Sequence, residues 1–462
     1  MNSSRRSFLL SGAAVTGFPL IVPSHVFGQS APSNHIRVGQ IGCGRIARAS
    51  EFPGLFRNSD KARYVAVADL DAVRIDDAKS LVEGTYSRKH GVGNFEAVKT
   101  YSNYRDMLAD KSIDAVCIST PDHWHAQPAM EAALAGKDIY LQKPASLTVA
   151  EGRQMADCVT KTGRIFQIGS QQRSEVQWRL AAEMVRNGRL GKLREVFIGL
   201  PEDPGGDEEK EMPVPKNFNY EAWLGSTPKV YYTENRVHPQ SPDPRKRYDR
   251  PGWLRCEQFG AGMITGWGAH HIDCAHWAMD TELTGPVEIE AEATFPKKGL
   301  WDVHGKYHVR MKYASGVTMY ISDKFPNGVK FIGDEGWIWV TRGRYTPGDP
   351  KPGAARSRAF DASNLEWLRT GTKDNEPHLH ASPNNDHHLD WLTSIRSRKA
   401  PATNAEIGHR SCSACLIAWS AMRTGRVLKW DAKAEKFPGD AEANATLVRS
   451  QRAPYGSNYV KG

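Results

Sequence analysis

The chain has 462 residues, of which 40% are hydrophobic and 24% are charged, and its mean hydropathy is −0.54. This balance excludes an integral membrane protein, and the length exceeds what one compact core usually contains, so we expect two domains. The formal charge of +9 comes from basic residues scattered along the chain without a nucleic-acid-binding motif, so nucleic acid is not an expected partner.

The first residues resemble a twin-arginine export signal. Arg5 and Arg6 precede a moderately apolar stretch over 8–22, which glycine and proline make too short and too broken for a stable membrane span. Small residues predict cleavage after Gly28, although an uncleaved anchor stays open. We therefore expect residues 1–28 to be a signal and the twin-arginine translocase to be a partner. The protein would then be periplasmic or otherwise extracytoplasmic, exported in its folded state with its cofactor tightly held.

A glycine-rich turn follows the first predicted strand, which spans 35–41. The turn reads Gly42-Cys43-Gly44-Arg45-Ile46-Ala47, and a helical run comes after it. Gly42 permits a tight turn, Gly44 lets a pyrophosphate approach the backbone, and Ala47 lets helix and strand pack closely. The helix N-terminus offers free N–H groups to phosphates. This pattern predicts a dinucleotide site, with an ordinary glycine turn as the alternative. The cofactor contacts would be Gly42, Gly44, Arg45 and Ile46.

The second predicted strand, 63–68, ends at Asp69. A carboxylate at this place accepts hydrogen bonds from the ribose hydroxyls of adenosine, whereas a 2′-phosphate would meet a like charge there. The sequence therefore predicts NAD as the cofactor and makes NADP the less favoured one.

Strands and helices alternate along the first part of the chain. The apolar strand runs lie at 114–119, 139–141 and 164–168, and the helical runs at 126–135 and 149–162. Continuous apolar strands between helices are typical of a parallel sheet that is buried on both faces. We predict an α/β fold whose first domain, residues 35–165, is a doubly wound Rossmann sheet that binds NAD.

The second half has a different pattern. Residues 201–258 are polar and rich in proline, which is typical of a binding loop or of disorder, and 343–358 form a Gly/Pro/Arg loop. Alternating strands lie at 287–295, 306–313, 317–323, 329–332 and 337–341, and helices at 385–397 and 407–424. Short turns between several strands predict a large, mostly antiparallel open sheet. We expect residues 166–462 to form an α+β domain that binds substrate and supports a homo-oligomer.

Three further motifs carry a family resemblance. They are Thr120-Pro121-Asp122-His123-Trp124-His125-Ala126, Gln142-Lys143-Pro144 and the run 260–273 with Gly266, Trp267, His270 and Asp273. With the glycine-rich turn, they resemble the Gfo/Idh/MocA superfamily of oxidoreductases, the glucose–fructose oxidoreductase and inositol dehydrogenase type. The runs 428–431 and 439–444 resemble an exported bacterial branch of it. The resemblance covers the chain from residue 35 onward and implies the fold and the nicotinamide cofactor more strongly than the substrate.

Lys143 is the predicted acid/base. It lies at the carboxyl end of a predicted strand, where α/β sheets bind ligands, and Pro144 fixes its position. A desolvated lysine near a positive nicotinamide has a lowered pKa and can exchange the proton of a hydroxyl. The family's Glu-Lys-Pro pattern implies the same catalytic or orienting role, and a surface lysine in a turn is the alternative. Gln142 replaces the family's glutamate and brings no negative charge to the cofactor site.

His270 matches the histidine of the family's Asp-x-x-x-His motif, which implies a base or an orienting group for the reacting hydroxyl. Gly266 occupies the position of the family's aspartate, so the support for this histidine must come from elsewhere. Asp273 is the candidate, because it follows on the next helical turn.

The remaining predicted contacts follow from the same motifs. By resemblance, Thr120, Pro121 and His125 lie along the nicotinamide, although His125 is equally suited to begin a helix. The substrate contacts are predicted to be Arg255, Trp267 and Asp273. A histidine cluster at 378–388 lacks the fixed ligand spacing of a metal centre, so no metal site is predicted. The odd number of cysteines predicts no disulfide framework.

The residues and the resemblance together predict an NAD(P)-dependent oxidoreductase that acts on a hydroxyl or keto group of a sugar, cyclitol or glycoside. The first alternative is a redox-neutral NAD-dependent glycoside hydrolase or lyase of the same superfamily. The second is a non-catalytic protein that binds a sugar or a nucleotide. The intact glycine turn and Lys143 argue against this second alternative.

Overall fold

The computed structural model describes residues 35–93, 95, 97–343 and 359–461. The predicted export signal and residues 344–358 of the predicted Gly/Pro/Arg loop lie outside the described residues. Among the helices that are described, none combines the length and the apolar character that crossing a membrane requires.

Six parallel strands form the first sheet. In chain order they are β1 (Ile36–Ile41), β2 (Ala62–Ala68), β3 (Lys99–Tyr101), β4 (Ala115–Ile118), β5 (Asp138–Leu141) and β6 (Phe166–Ile168). Across the sheet their order is β3-β2-β1-β4-β5-β6. This is the strand order of the doubly wound dinucleotide-binding fold, so the predicted fold class of the first domain is confirmed. The sheet includes β6, which lies beyond residue 165.

Helices pack on both faces of this sheet. They are α1 (Phe52–Arg57), α2 (Ala72–His90), α3 (Tyr104–Ala109), α4 (Ala126–Leu134) and α5 (Val149–Thr162). The helix α5 begins where the Thr148 side chain accepts a hydrogen bond from Glu151 N, and it ends at Gly163, whose φ of 63° closes a left-handed C-terminus. A short π-helical turn, Ala47–Glu51, connects the glycine-rich turn to α1.

Eight strands form the second sheet. They are β7 (Leu193–Gly199), β8 (Glu288–Ala293), β9 (Tyr307–Lys312), β10 (Thr318–Ser322), β11 (Gly328–Gly333), β12 (Gly336–Val340), β13 (Phe360–Ala362) and β14 (Leu428–Lys429). Their order is β13-β12-β11-β7-β10-β9-β8-β14, and only β7 and β10 run parallel. The predicted antiparallel open sheet is therefore confirmed.

Some helices of the second half pack on this sheet, and others return to the first domain. They are α6 (Val176–Arg186), α7 (Tyr220–Leu224), α8 (Pro244–Arg247), α9 (Met263–Gly266), α10 (Gly268–Met279), α11 (Leu365–Thr370), α12 (His387–Ser397), α13 (Ala405–Thr424) and α14 (Ala441–Ala445). Trp391 of α12 is fully buried in the core of the first domain, with its ring 5.6 Å from that of Tyr140. Part of the segment 166–462 thus completes the core of the first domain.

Residues 217–250, which we call the strap, cross from the second half onto the first domain. Asn219 N donates to Leu70 O at 2.9 Å, and His238 Nε2 lies 3.1 Å from Asp71 Oδ2. Tyr248 is held at the other end of the strap, because its hydroxyl donates to Asp77 Oδ2 at 2.9 Å. The polar segment 201–258 is therefore folded against the first domain beside the end of β2, where Asp69 lies.

Candidate active site

A cavity of about 800 Å³ lies between the carboxyl edge of the first sheet and the second domain. It brings together most of the residues that the sequence analysis selected. Those that line it are Gly42, Gly44, Arg45, Ile46, Asp69, Thr120, Pro121, Gln142, Lys143, Trp267 and His270. His125, Arg255 and Asp273 do not line it, and each has other partners.

The glycine-rich turn has the shape that a dinucleotide needs. Gly42 has a φ of 83°, and a Cβ at this position would lie 2.8 Å from Ser119 O. A Cβ on Gly44 would lie 2.9 Å from Nη1 of Arg74. A side chain is therefore excluded at Gly42, whereas at Gly44 it would displace only the flexible end of Arg74. With glycine at both positions, the backbone of the turn stays open to a pyrophosphate beside the following helical turn.

Asp69 holds the turn and faces the cavity. Its Oδ2 accepts a hydrogen bond from Cys43 N at 2.7 Å, and its Oδ1 accepts from Leu70 N at 2.8 Å and Asp71 N at 3.0 Å. Burial raises its pKa, while the charge of Arg74 opposes this shift. A carboxylate has about four acceptor sites, so one stays available to a ribose hydroxyl.

His125 connects two loops of the site. Its Nδ1 lies 2.5 Å from Pro144 O, and its Nε2 lies 2.9 Å from Thr120 O. The ring is buried and both nitrogens are engaged by the backbone. The structure therefore places His125 as a support of Thr120 and Pro144 and does not place it against the cofactor space.

A carboxyl lies directly behind Gln142. The Gln142 Nε2 donates to Glu51 Oε1 at 2.7 Å, and Ser119 Oγ donates to Glu51 Oε2 at 2.9 Å. The Gln142 Oε1 accepts from Lys143 N at 3.2 Å. Burial raises the pKa of Glu51 to about 7. The sequence analysis missed Glu51 because it lies 91 residues before Gln142 in the chain.

Lys143 joins the two domains at the centre of the cavity. Its Nζ donates to Gly266 O at 2.8 Å, so the residue that replaces the family's aspartate contributes its backbone carbonyl. Burial lowers the pKa of Lys143 to about 8, and the nearby Asp122 opposes this shift. The amine can therefore exist in its neutral form near physiological pH, as a general base requires.

Asp122 is a site residue that the sequence analysis did not select. It lines the cavity, it is 3% exposed, and its Oδ2 has no hydrogen-bond partner among the described residues. Burial raises its pKa to about 8, and the charge of Lys143 opposes the shift. The only sequence signal was its place in the motif after β4, since Gly260, whose Cβ would lie 3.4 Å from Asp122 Oδ2, is far away in the chain.

His270 lines the same cavity and is neutral. It is 5% exposed, and its Nδ1 is buried without a hydrogen-bond partner in the described part of the chain. Burial, assisted by the charges of Arg342 and Lys143, holds the pKa of His270 well below its usual range. A neutral imidazole has one nitrogen that can accept a hydrogen bond from a substrate hydroxyl.

Asp273 is engaged in a buried ion pair. Its Oδ1 accepts from Nη2 of Arg173 at 2.6 Å and from Ser411 Oγ at 2.7 Å, and Ser170 also donates to it. Both side chains of the ion pair are 1% exposed. These contacts connect α10 with α13 and with the turn before α6, so the structure shows a packing role where substrate contact and support of His270 were predicted.

The two other predicted substrate contacts differ in position. The Arg255 Cζ lies 4.3 Å from the centre of the Trp301 ring, and its Nε lies 3.9 Å from Asp203 Oδ1, outside the cavity lining. Trp267 lines the cavity, and the Cζ of Arg342 lies 4.6 Å from the centre of its ring.

No group of three or more possible metal ligands occurs among the residues that the structure describes.

Family models match most of the chain. Residues 36–170 match the "Oxidoreductase family, NAD-binding Rossmann fold", and residues 204–341 and 366–457 match the "Oxidoreductase family, C-terminal alpha/beta domain". The chain belongs to the Gfo/Idh/MocA oxidoreductase family. The predicted family and the predicted NAD-binding Rossmann fold are thus confirmed.

Curated relatives in this family match over part of their length. An uncharacterised oxidoreductase of Rhizobium meliloti is 32% identical over 172 residues, 37% of this chain and 47% of that protein. A glycosyl hydrolase family 109 protein of Shewanella pealeana is 31% identical over 191 residues, 40% of this chain and 39% of that protein. Both matches cover less than half of the relative.

Solved structures share the fold of most of the chain. The WlbA dehydrogenase from Bordetella pertussis, in complex with NADH and UDP-GlcNAcA, aligns with a TM-score of 0.59 and 16% identity over 86% of this chain and 99% of its own. The aldose-aldose oxidoreductase from Caulobacter crescentus, complexed with glycerol, aligns with a TM-score of 0.57 and 19% identity over 86% and 99% of the two chains. At these identities the likeness concerns the fold alone.

Replacing Asp273 by Asn tests its packing role. The variant leaves Arg173 with a weakened partner in a buried place, so we expect the free energy of unfolding to fall by about 3–5 kcal/mol. Urea unfolding measures this change. Asp280→Asn is the control, because the Asp280 side chain is 78% exposed. An unchanged stability together with a raised KM for the substrate would instead make Asp273 a substrate contact.

Replacing Asp122 by Asn tests its coupling to Lys143. The Asp122 carboxylate favours the charged form of the lysine, so its removal lowers the pKa of Lys143 further. We expect the acidic limb of the pH profile of kcat/KM for substrate oxidation to move to lower pH. In Asp157→Asn, which changes a side chain that is 66% exposed, this limb should stay in place. An unmoved limb in Asp122→Asn would contradict the coupling.

Proposed function

We propose that this protein is an NAD-dependent oxidoreductase that transfers a hydride between the cofactor and a hydroxyl or keto group of a sugar, cyclitol or glycoside. One observation carries the proposal. The Lys143 amine, the buried carboxyl of Asp122 and the neutral ring of His270 line one cavity together with Gly42 and Asp69. A proton-accepting group and a nucleotide site thus share one space, as oxidation of a carbinol requires.

Lys143 accepts the proton of the reacting hydroxyl in oxidation and donates it in reduction. When NAD is bound, it supplies the acceptor for the carbinol hydride. The hydroxyl proton moves to the neutral Nζ of Lys143, whose position is fixed by the hydrogen bond to Gly266 O. Asp122, which has a free buried oxygen, stabilises the resulting ammonium and can take up the proton in turn. In the direction of reduction, the same groups return a proton to the carbonyl oxygen.

His270 orients the substrate. Because its pKa lies well below its usual range, the ring stays neutral, and a neutral imidazole has one nitrogen that can accept a hydrogen bond from a hydroxyl. In oxidation the lysine is therefore the stronger candidate for the base, and the histidine fixes the direction of the O–H bond.

The names of the structural neighbours support a carbohydrate substrate. The WlbA dehydrogenase is in complex with UDP-GlcNAcA, and a myo-inositol 2-dehydrogenase from Lactobacillus plantarum aligns with a TM-score of 0.54 over 86% of this chain and 99% of its own. These ligands and substrates are polyols, which present the carbinol carbon that the proposed reaction needs.

A redox-neutral glycoside cleavage is the second candidate function. The strap supports this function. It contacts Leu70, Asp71 and Asp77 and therefore lies against the first domain beside Asp69, the predicted ribose contact. A cofactor retained under such a strap suits a reaction in which the sugar is oxidised and reduced within one turnover. The family 109 glycosyl hydrolase relative points to the same chemistry.

Export and self-association complete the proposal. The twin-arginine motif supports export of the folded protein to the periplasm. The second sheet supports a homo-oligomer, because half-buried aromatic side chains lie along several of its strands. They are Phe197, Tyr320, Phe325, Trp337 and Trp339. Partly exposed aromatic side chains in such number are typical of interfaces.

Replacing Lys143 by Met removes the proposed base and keeps the length of the side chain. We expect turnover to fall by roughly a hundredfold or more, the usual contribution of acid–base catalysis, while the affinity for NAD stays the same. Steady-state kinetics and calorimetry with NAD measure the two quantities. Lys161→Met, at an exposed position of α5, should behave as the unchanged protein does. Full turnover without the amine would remove Lys143 from the mechanism.

The stoichiometry of the cofactor separates the two candidate functions. We expect that each sugar consumed yields an equal amount of NADH when excess NAD is supplied, since the hydride leaves the substrate. Absorbance of the reduced cofactor and chromatography of the sugar products measure both sides of this balance. Cleavage of a glycoside without net NADH would overturn the dehydrogenase and support the redox-neutral reaction.

A further inference from the structure

We propose that the substrate carries an oxyanion, a carboxylate or a phosphate group, which Arg250 and Arg342 bind at the catalytic end of the cavity. The inference rests on the proposed function, because it assigns the class of substrate that the same site takes. Both arginines line the cavity that contains Lys143 and His270.

Arg250 reaches the cavity from the end of the strap. Its Nη1 lies 3.8 Å from Sδ of Met263, the first residue of α9. That sulfur would lie 3.7 Å from a Cβ on Gly266, the residue whose carbonyl binds Lys143. Within the described residues, no carboxylate forms an ion pair with Arg250. Its charge therefore lies near the reacting amine without a partner.

Arg342 reaches the cavity from the residues after β12. Its Cζ lies 4.6 Å from the centre of the Trp267 ring, and this ring lies 6.2 Å from that of His270. Gln172, with its amide oriented to satisfy its neighbours, accepts from the Arg342 Nε at 3.1 Å. The two terminal nitrogens have no hydrogen-bond partner in the part of the chain that is described. The guanidinium is thus held in place while its outer donors stay available.

Acids and cations both line this end of the cavity. The cations are Lys143, Arg250 and Arg342, and the acids are Asp122, Glu175 and Asp249. Burial raises the pKa of Asp122 and of Glu175, so both carboxyls ionise less readily than they do in water. Arg250 and Arg342 are exposed, and their partial desolvation lowers the pKa of each. An anionic ligand would stabilise both charges.

The phosphates of the cofactor are expected at the glycine-rich turn, where Arg45 directly follows Gly44. They do not account for Arg342, whereas Arg250 lies near enough to Arg45 for the two charges to interact. Arg250 and Arg342 contact Met263 and Trp267, which belong to the second domain and flank Gly266. Their neighbours are therefore the groups that act on the substrate. A guanidinium fork pairs with both oxygens of a carboxylate or with a phosphate, and it gains much less from a neutral hydroxyl.

Matched pairs of ligands test the inference on the NAD-loaded full chain. The pairs are glucuronate with glucose, galacturonate with galactose, and glucose 6-phosphate with glucose. Calorimetry measures binding, and NADH absorbance measures oxidation. We expect at least one acidic member to bind roughly tenfold or more tightly than its neutral partner, because a hydrogen bond to a charged group contributes this much. The uronates and the sugar phosphate identify which oxyanion is preferred.

Two arginine variants show where the preference originates. Arg250→Gln and Arg342→Gln should each remove most of the preference for the acid and leave the affinity for NAD unchanged. Arg342→Lys should keep a part of it, since the charge stays while the fork is lost. Arg245→Gln is the matched control on the same segment, because the Arg245 side chain is 92% exposed.

The outcomes separate this inference from the proposed function. If acids bind through Arg250 and Arg342 but no ligand is oxidised or cleaved, the inference stands and the proposed function falls. If neutral sugars bind and react as well as the acids, or if no acid binds more tightly than its partner, the inference is overturned. The inference is also overturned if Arg250→Gln and Arg342→Gln retain the full preference for the acid.

Discussion

Lys143 carries its amine out of water and into the cavity between the domains, where the carbonyl of Gly266 accepts its hydrogen bond at 2.8 Å. The first domain supplies the lysine at the end of β5, and the second domain supplies the carbonyl at the end of α9. The lowered pKa of the amine is therefore a product of domain packing. The helix α12 contributes to that packing, because its Trp391 and Leu392 lie in the core of the first domain.

Much of the fold could be predicted because its signals are local. The strand β1 with the glycine-rich turn, and the helix α5 between Thr148 and Gly163, were recognisable from a few neighbouring residues. The strand β7 was missed, although it lies in the middle of the second sheet. It pairs with β10 and β11, which lie far along the chain, so no hairpin marks it. The docking of α12 into the first domain was hidden for the same reason, since its own pattern shows an apolar face but not the partner of that face.

The site residues show the same difference between local and long-range signals. Gly42, Asp69 and Lys143 were predictable because each has a fixed place relative to one strand. Glu51 and Arg342 were not, since only the tertiary structure brings them beside Gln142 and Trp267. Asp122 stood in a recognised motif, but its importance comes from burial next to a lysine, which a sequence does not display. Asp273 shows the reverse case, because helical spacing suggested a contact that a long-range ion pair occupies.

The state of the Lys143 amine is the quantity on which the account depends most. Nitrogen NMR of the lysine side chains, with Lys143 assigned through the Lys143→Met variant, measures its titration in the folded NAD-loaded chain. The account predicts a midpoint well below the ordinary lysine value, since burial lowers the pKa of this group. A midpoint at the ordinary lysine value of 10.5 would contradict it, because the amine would then be charged and unable to accept the proton.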